Sequence, residues 1–243
     1  MRWLHLVLLA GCRQALGLEP PTRAPPVDAP IDTSVPMDAP LLVGCDANDG
    51  RLVACFDFEG DATNHSGTML GVASTVTGFV PGVLGQAVQL EQLDSIRINE
   101  TVALDVAQVT LEAWIQIPQL PGISARMGVI DNDSQYGLFV LGSGELYCTA
   151  GGALTAGTVA VGRWVHLACT FDGATETSYI DGSAVGALAM ATPLSTTGTS
   201  GSAIGGNSPS GDPLIGDMDV VRIYDVARSA AQICSDAGRA ACP

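Results

Sequence analysis

From Val109 to Asp181 apolar residues recur at every second position, and Gly, Asn and Asp break the runs. That period is the one of strands with a single buried face. In Val109-Thr-Leu-Glu-Ala-Trp-Ile-Gln-Ile117, Val109, Leu111, Ala113, Ile115 and Ile117 share a face that must be buried, while Thr110, Glu112, Trp114 and Gln116 point the other way. Leu52, Ala54, Phe56 and Phe58 are expected on one side of an earlier strand, with Val53, Cys55 and Asp57 on the other. Asp172-Gly173 and Asp181-Gly182 are tight-turn signals between strand patterns. Gly216 to Tyr224 reads as the last strand. Ser229 to Asp236 reads as a short helix, with Ser229 as N-cap and Gly238 past its end. Many strands and no long helix predict an all-β, two-sheet antiparallel jelly-roll sandwich with a short C-terminal helix.

The pattern does not begin at residue 1. Met1 to Cys12 carries a positive charge and then an apolar run too short to span a bilayer, the form of an export signal. Leu9-Ala-Gly-Cys12 resembles the bacterial lipoprotein signal, in which the chain is cut before the cysteine and the cysteine carries the lipids. Arg13, rather than Asp, follows it and resembles the pattern sent to the outer membrane. The alternative is an ordinary signal peptide with a stray Cys12. Residues 13–44 are rich in Pro, Ala and Asp, and read as an extended tether. Residues 45–243 are the folded domain.

Composition removes one class of partner. The 25 acidic residues against 10 Lys and Arg give a formal charge of −15, and no basic stripe exists for nucleic acid. Six cysteines remain after Cys12, with no CxxC pair. In an exported chain they are expected to form three disulfides. Sequence alone leaves many pairings open. The preferred one is Cys45–Cys55, Cys148–Cys169 and Cys234–Cys242, since Leu146 and Cys148 share a strand face, as do Val165, Leu167 and Cys169.

An ordered set of segments resembles the laminin-G-like, concanavalin-A-like jelly roll of bacterial surface proteins. The segments are Leu52 to Gly60, Ser66-Gly67 with Phe79 to Leu90, Val109 to Ile115, Gly162 to Ala168, Tyr179-Ile-Asp-Gly182 and Gly216 to Tyr224. The resemblance implies two stacked sheets, with the first and last strands as neighbours and ligand loops at one rim. It also implies a structural Ca²⁺ held by Asp219 and, from the other side, by Glu59, Asp61 or Asn64, with a carbonyl near Gly71. Oxygen-rich sets of this kind suit calcium.

Fold alone does not settle function here. Retaining hydrolases of this fold carry Glu-x-Asp-x-x-Glu or a close variant, because one carboxylate is nucleophile and the other acid/base, about 5 Å apart. Glu112 is followed by Trp114 and Gln116 instead, which argues against catalysis. His65 has no companion at ligand spacing, and His166 reads as a strand residue. Candidate ligand contacts are Tyr136, Tyr147, Trp114, Asp131 and Asn132, and Asp131, Asn132 and Asp133 form a weaker second calcium candidate at the rim. The expected function is a non-catalytic binding or adhesion module at the cell surface, taking a carbohydrate or a surface protein. A purely structural scaffold is the alternative, and a glycoside hydrolase a more distant one.

Overall fold

A computed structural model describes residues 42–189, 192–198 and 200–242. The proposed signal, the lipid site Cys12 and most of the proposed tether therefore lie outside the described residues. Among the described residues fifteen strands form two antiparallel sheets. In the first, β13 (Ser183–Ala189), β12 (Thr175–Ile180), β11 (Val165–Phe171), β6 (Val109–Gln116), β15 (Gly216–Tyr224), β4 (Gln86–Leu90) and β3 (Gly78–Pro81) follow one another. β1 (Leu52–Phe56) also pairs with β15, so the first and last strands are neighbours. In the second, the order is β10 (Leu154–Ala156), β9 (Leu146–Ala150), β8 (Tyr136–Leu141), β7 (Arg126–Asn132), β14 (Ser202–Ile204), β5 (Ile96–Ile98) and β2 (Val72–Ser74). This is the two-sheet antiparallel sandwich that the alternating pattern predicts.

The alternation also sets the core. Val109, Leu111, Ala113 and Ile115 of β6 pack between the sheets with Val165, Leu167 and Phe171 of β11 and Leu138 and Val140 of β8. β1 departs from strict parity. A register shift between Leu52 and Ala54 turns Val53 into the main core and sends Leu52 outward onto Cys55 and Tyr224. One irregular step re-aims every side chain before it.

The turns follow their residue types. Asp181 and Gly182 both have positive φ (48° and 73°) and join β12 to β13 directly. Asp172 accepts hydrogen bonds from the Ala174 and Thr175 amides in the β11–β12 turn. Helix α1 (Ala230–Asp236) begins with a capping box. Gln232 N–H donates to Ser229 Oγ, and Ser229 N–H donates to Gln232 Oε1. Gly238 beyond it has φ 66°. The cysteines are joined as Cys45–Cys55, Cys148–Cys169 and Cys234–Cys242. The middle bond links β9 in the second sheet to β11 in the first.

Candidate functional site

Each sheet has an outward face as well as a core face, and the two outward faces differ. On the first sheet, Glu112, His166 and Arg222 point out from β6, β11 and β15, yet all three are buried. The residues after β15 cover them. Glu112 Oε2 lies 3.4 Å from His166 Nε2 and 3.8 Å from Arg222 Nη1, and Oε1 lies 3.4 Å from Arg228 Nε. Arg228 is bound in turn by Asp236 of α1 at 2.6 Å, and its guanidinium stacks over the Tyr224 ring at 4.4 Å. Arg222 donates to the carbonyls of Val43 and Gly44.

The outward face of the second sheet is open. It bears a pocket of about 570 Å³. Its floor is Arg126 and Asp131 from β7, Phe139 from β8 and Thr149 from β9; its walls are Ser134-Gln135, Gly151-Gly152, Thr192-Pro193 with Ser195, and Asn207-Ser208. Strand parity explains the floor: Leu138 and Val140 point inward, so Phe139 points out, and Cys148 points inward, so Thr149 points out. The Arg126 guanidinium lies 4.0 Å from the Phe139 ring centre. It is fixed there by Asp212, whose Oδ2 is 2.6 Å from Nε. Asp131 accepts the Ser208 amide at 2.7 Å. It is only 6% exposed. Burial pushes its carboxyl up to about 6, with Asp133 and Asp212 adding to the rise and Ser208 and Arg126 opposing it. The residues 205–213 reach the floor because Gly128 has no side chain. A Cβ there would stand 2.3 Å from the Gly206 carbonyl oxygen.

Of the ligand contacts expected from sequence, Asp131 lines this pocket. Tyr147 is half-buried beside it, its ring centre 6.0 Å from that of Phe139. Tyr136 and Asn132 are not accessible from outside. Tyr136 is 1% exposed, and its hydroxyl donates to the Leu104 carbonyl at 3.0 Å. Asn132 is buried and donates to Gln135 Oε1 and the Leu104 carbonyl. Both share the inward side of their strands, which the polar headgroups of Tyr and Asn disguise in the sequence. Trp114 lies on the other sheet, tilted against His166 with ring centres 5.3 Å apart. Arg126, Phe139, Thr149, Asn207 and Ser208 were not legible as site residues. Phe139 and Thr149 carried a parity signal, whereas the contribution of 207–208 depends on how a Gly/Ser-rich loop folds back.

The residues expected at a calcium site separate into two places. Glu59 and Asp219 meet at the turn between β3 and β4. Gln86 N–H donates to both Glu59 oxygens, at 3.2 and 3.3 Å, and Leu84 N–H donates to Asp219 Oδ2 at 2.9 Å. Glycines permit that approach: a Cβ on Gly82 would lie 2.4 Å from Asp219 Oδ2, and one on Gly85 2.1 Å from Glu59 Oε1. Asp219 is buried, which pushes its carboxyl up to about 6; the backbone donors oppose the rise and Glu59 adds to it. Among the described residues no cationic side chain pairs with either acid. Two hard carboxylates at one turn are donors of the kind a divalent cation takes, and here their oxygens accept backbone amides. Asn64 instead accepts the Cys55 amide and donates to Thr68 O. The Gly71 carbonyl is taken by the Asn99 amide. Asp61 binds Thr63 and His65. His65 thus does have companions, with Asp57 Oδ1 2.5 Å from its Nδ1. Burial lowers its pKa, but the two carboxylates outweigh this and the net shift is upward. Two further clusters have the composition of metal sites, Cys45-Asp57-His65 and Cys148-Cys169-Glu176. In both, the sulfurs are in disulfides and offer no thiolate.

The family model described as Concanavalin A-like lectin/glucanases superfamily matches residues 90–234. No match was found among the curated proteins. Domain 4 of an extracellular arabinanase from Geobacillus stearothermophilus, solved in complex with arabinotriose, is similar with TM-score 0.62 and 21% identity, over 77% of this chain and 98% of that one. The binding domain of Paraclostridial Mosquitocidal Protein 1 is similar with TM-score 0.62 and 16% identity, over 76% of this chain and 51% of that one. The receptor binding domain of a botulinum neurotoxin C/D mosaic serotype gives 0.60 and 12%, over 76% and 50%. The chain thus spans about half the length of these two toxin domains. At these identities the likeness is one of fold.

Proposed function

The chain belongs to the concanavalin A-like lectin/glucanases superfamily, and from that premise we propose that it is a non-catalytic binding module whose ligand is an uncharged carbohydrate. The observation that carries this reading is the pocket on the second sheet. Its floor joins a fixed guanidinium, a carboxylate and a threonine hydroxyl within one concavity, with the Phe139 ring 2% exposed beneath the guanidinium. Such a set of polar groups suits the fringe of hydroxyls on a sugar. The charge of −15 and Asp131 on the floor disfavour acidic glycans. Asp131 is the sole carboxylate among the pocket's lining residues, whereas glycoside hydrolysis requires a pair. An arabinanase domain solved with arabinotriose supports a neutral sugar on this fold. The test is a glycan array with neutral and acidic oligosaccharides, followed by calorimetry on any hit. Saturable binding to a neutral glycan that falls at least tenfold in Arg126→Ala is expected. Binding to no glycan would leave the scaffold reading, and binding unchanged in Arg126→Ala would move the site elsewhere.

The reading extends to location and metal. Three disulfides suit an oxidising compartment outside the cytoplasm, and Cys12 is the proposed lipid attachment, with residues 13–44 as tether to the outer membrane. Fatty-acid labelling of the cells should mark the protein and be lost in Cys12→Ala. Glu59 and Asp219 are the proposed Ca²⁺ ligands, joined there by water or carbonyl oxygens. The melting temperature should then rise with added CaCl₂ over EDTA, and Asp219→Asn should remove that rise.

A further inference from the structure

The buried acid that neither the pocket, the covered face nor the Glu59–Asp219 turn uses is Glu176, on β12. Its side chain points between the sheets and is 0% exposed. Oε1 accepts the Ala150 amide at 2.9 Å and lies 3.8 Å from Cys169 Sγ. Oε2 and the neighbouring Ser178 Oγ have no hydrogen-bond partner. A carboxyl in an apolar core is disfavoured unless something requires it, and Gln or Leu would fill the same space. What distinguishes Glu is a proton that can be taken and returned. Burial pushes its carboxyl up to about 7, opposed only by the Ala150 N–H. The groups around it are the two sulfurs of Cys148–Cys169 and backbone; no other ionisable side chain contributes to that shift. A carboxylate oxygen 3.8 Å from a sulfur that has to react is placed for general base work.

The order of assembly makes that proximity useful. β11 and β12 are one hairpin, in which Cys169 pairs with Ser178 and Phe171 with Glu176. Hairpins form from local contacts, ahead of sheet-on-sheet docking. Glu176 therefore stands beside Cys169 before the second sheet delivers Cys148.

We propose that Glu176 is the internal base that closes the Cys148–Cys169 disulfide during oxidative folding. Cys148 first exchanges with a disulfide oxidant, glutathione disulfide or a protein disulfide, forming a mixed disulfide and releasing one oxidant thiol. The Cys169 thiol then passes its proton to Glu176 Oε1, and the thiolate attacks Sγ of Cys148. The new S–S bond forms as the bond to the oxidant's sulfur breaks. That sulfur leaves with the electron pair and takes a proton from solvent, and Glu176 returns its own proton to solvent. Two cysteine thiols are oxidised and one oxidant disulfide is reduced to two thiols. The thiolate is the attacking species, so a base at the sulfur acts on the slow step.

The test follows each disulfide separately. Reduced, unfolded full chain is refolded in glutathione buffer at neutral pH, quenched by alkylation and mapped by peptide mass spectrometry. In Glu176→Gln, closure of Cys148–Cys169 should slow by roughly tenfold or more, while Cys45–Cys55 and Cys234–Cys242 close as in the wild type. Equal rates for the middle pair would overturn the proposal. If the variant does not fold, the wild type decides. Closure of the middle pair should begin at lower pH than closure of the other two, which follow the free-thiol range of about 8.5. A parallel rise of all three pairs would equally overturn it.

Discussion

The two outward faces of the sandwich start from the same rule and end differently. Strand parity gives each sheet a second face with polar residues on it. On the first sheet these are Glu112, His166 and Arg222, and the chain's own last residues close over them, with Arg228 and Asp236 completing the charge balance. On the second sheet they are Arg126, Asp131 and Thr149, over the buried Phe139, and the loops beside them form walls without a roof. Folding thus consumes the polar capacity of one face and leaves that of the other for something outside. Polar residues on a strand's second face are therefore no guide to a site until it is known what covers them.

Replacing the hub of the covered face should have the largest effect. Glu112→Gln leaves the buried Arg222 guanidinium without its anion and Arg228 with Asp236 alone, and breaking a buried pair costs about 3–5 kcal/mol. Urea unfolding should show that loss, while ligand binding at the pocket, measured well below the transition, stays intact. Loss of binding without loss of stability would reverse the roles of the two faces.

A smaller effect, of opposite sign, belongs to the open face. The Asp131 carboxyl is raised in the fold to about 6 from 3.8, so the folded state holds the proton more tightly. Its contribution to stability is present below about pH 4 and is lost as pH rises through about 6. Asp131→Asn should therefore flatten that part of the stability–pH curve and raise stability at pH 7 by on the order of 1–2 kcal/mol. Unchanged pH dependence in the variant would show that the carboxyl titrates normally.

The smallest effect tests how firmly the cover is held. Ser229→Ala removes the N-cap of α1 and should cost about 1 kcal/mol. Amide exchange should quicken in α1 and leave β7 and β8 unchanged; a uniform change would mean that the cover and the open sheet unfold together.

Much of the scaffold was legible because its signals are local. The parity of Val109 to Ile117, the Asp181-Gly182 turn and the Ser229 cap each need only neighbouring residues. Leu52 was misplaced because a register shift leaves no mark in an apolar run. Asp131 was legible as a polar residue near a turn. Tyr136 and Asn132 were not distinguishable from it, since an inward hydroxyl or amide satisfied by Leu104 O looks the same in sequence as an outward one. The walls at 192–195 and 207–208 are set by chain that returns from a distance, and no periodicity encodes that return. Glu59 and Asp219 are 160 positions apart, and only the resemblance linked them.

The clamp of Arg222 on the Val43 and Gly44 carbonyls lies beside the Cys45–Cys55 bond and the β1–β15 pairing. A pull that arrives along the chain from upstream therefore meets a covalent link before it reaches the hydrogen bonds between the first and last strands. The pocket lies on the other sheet, away from that link.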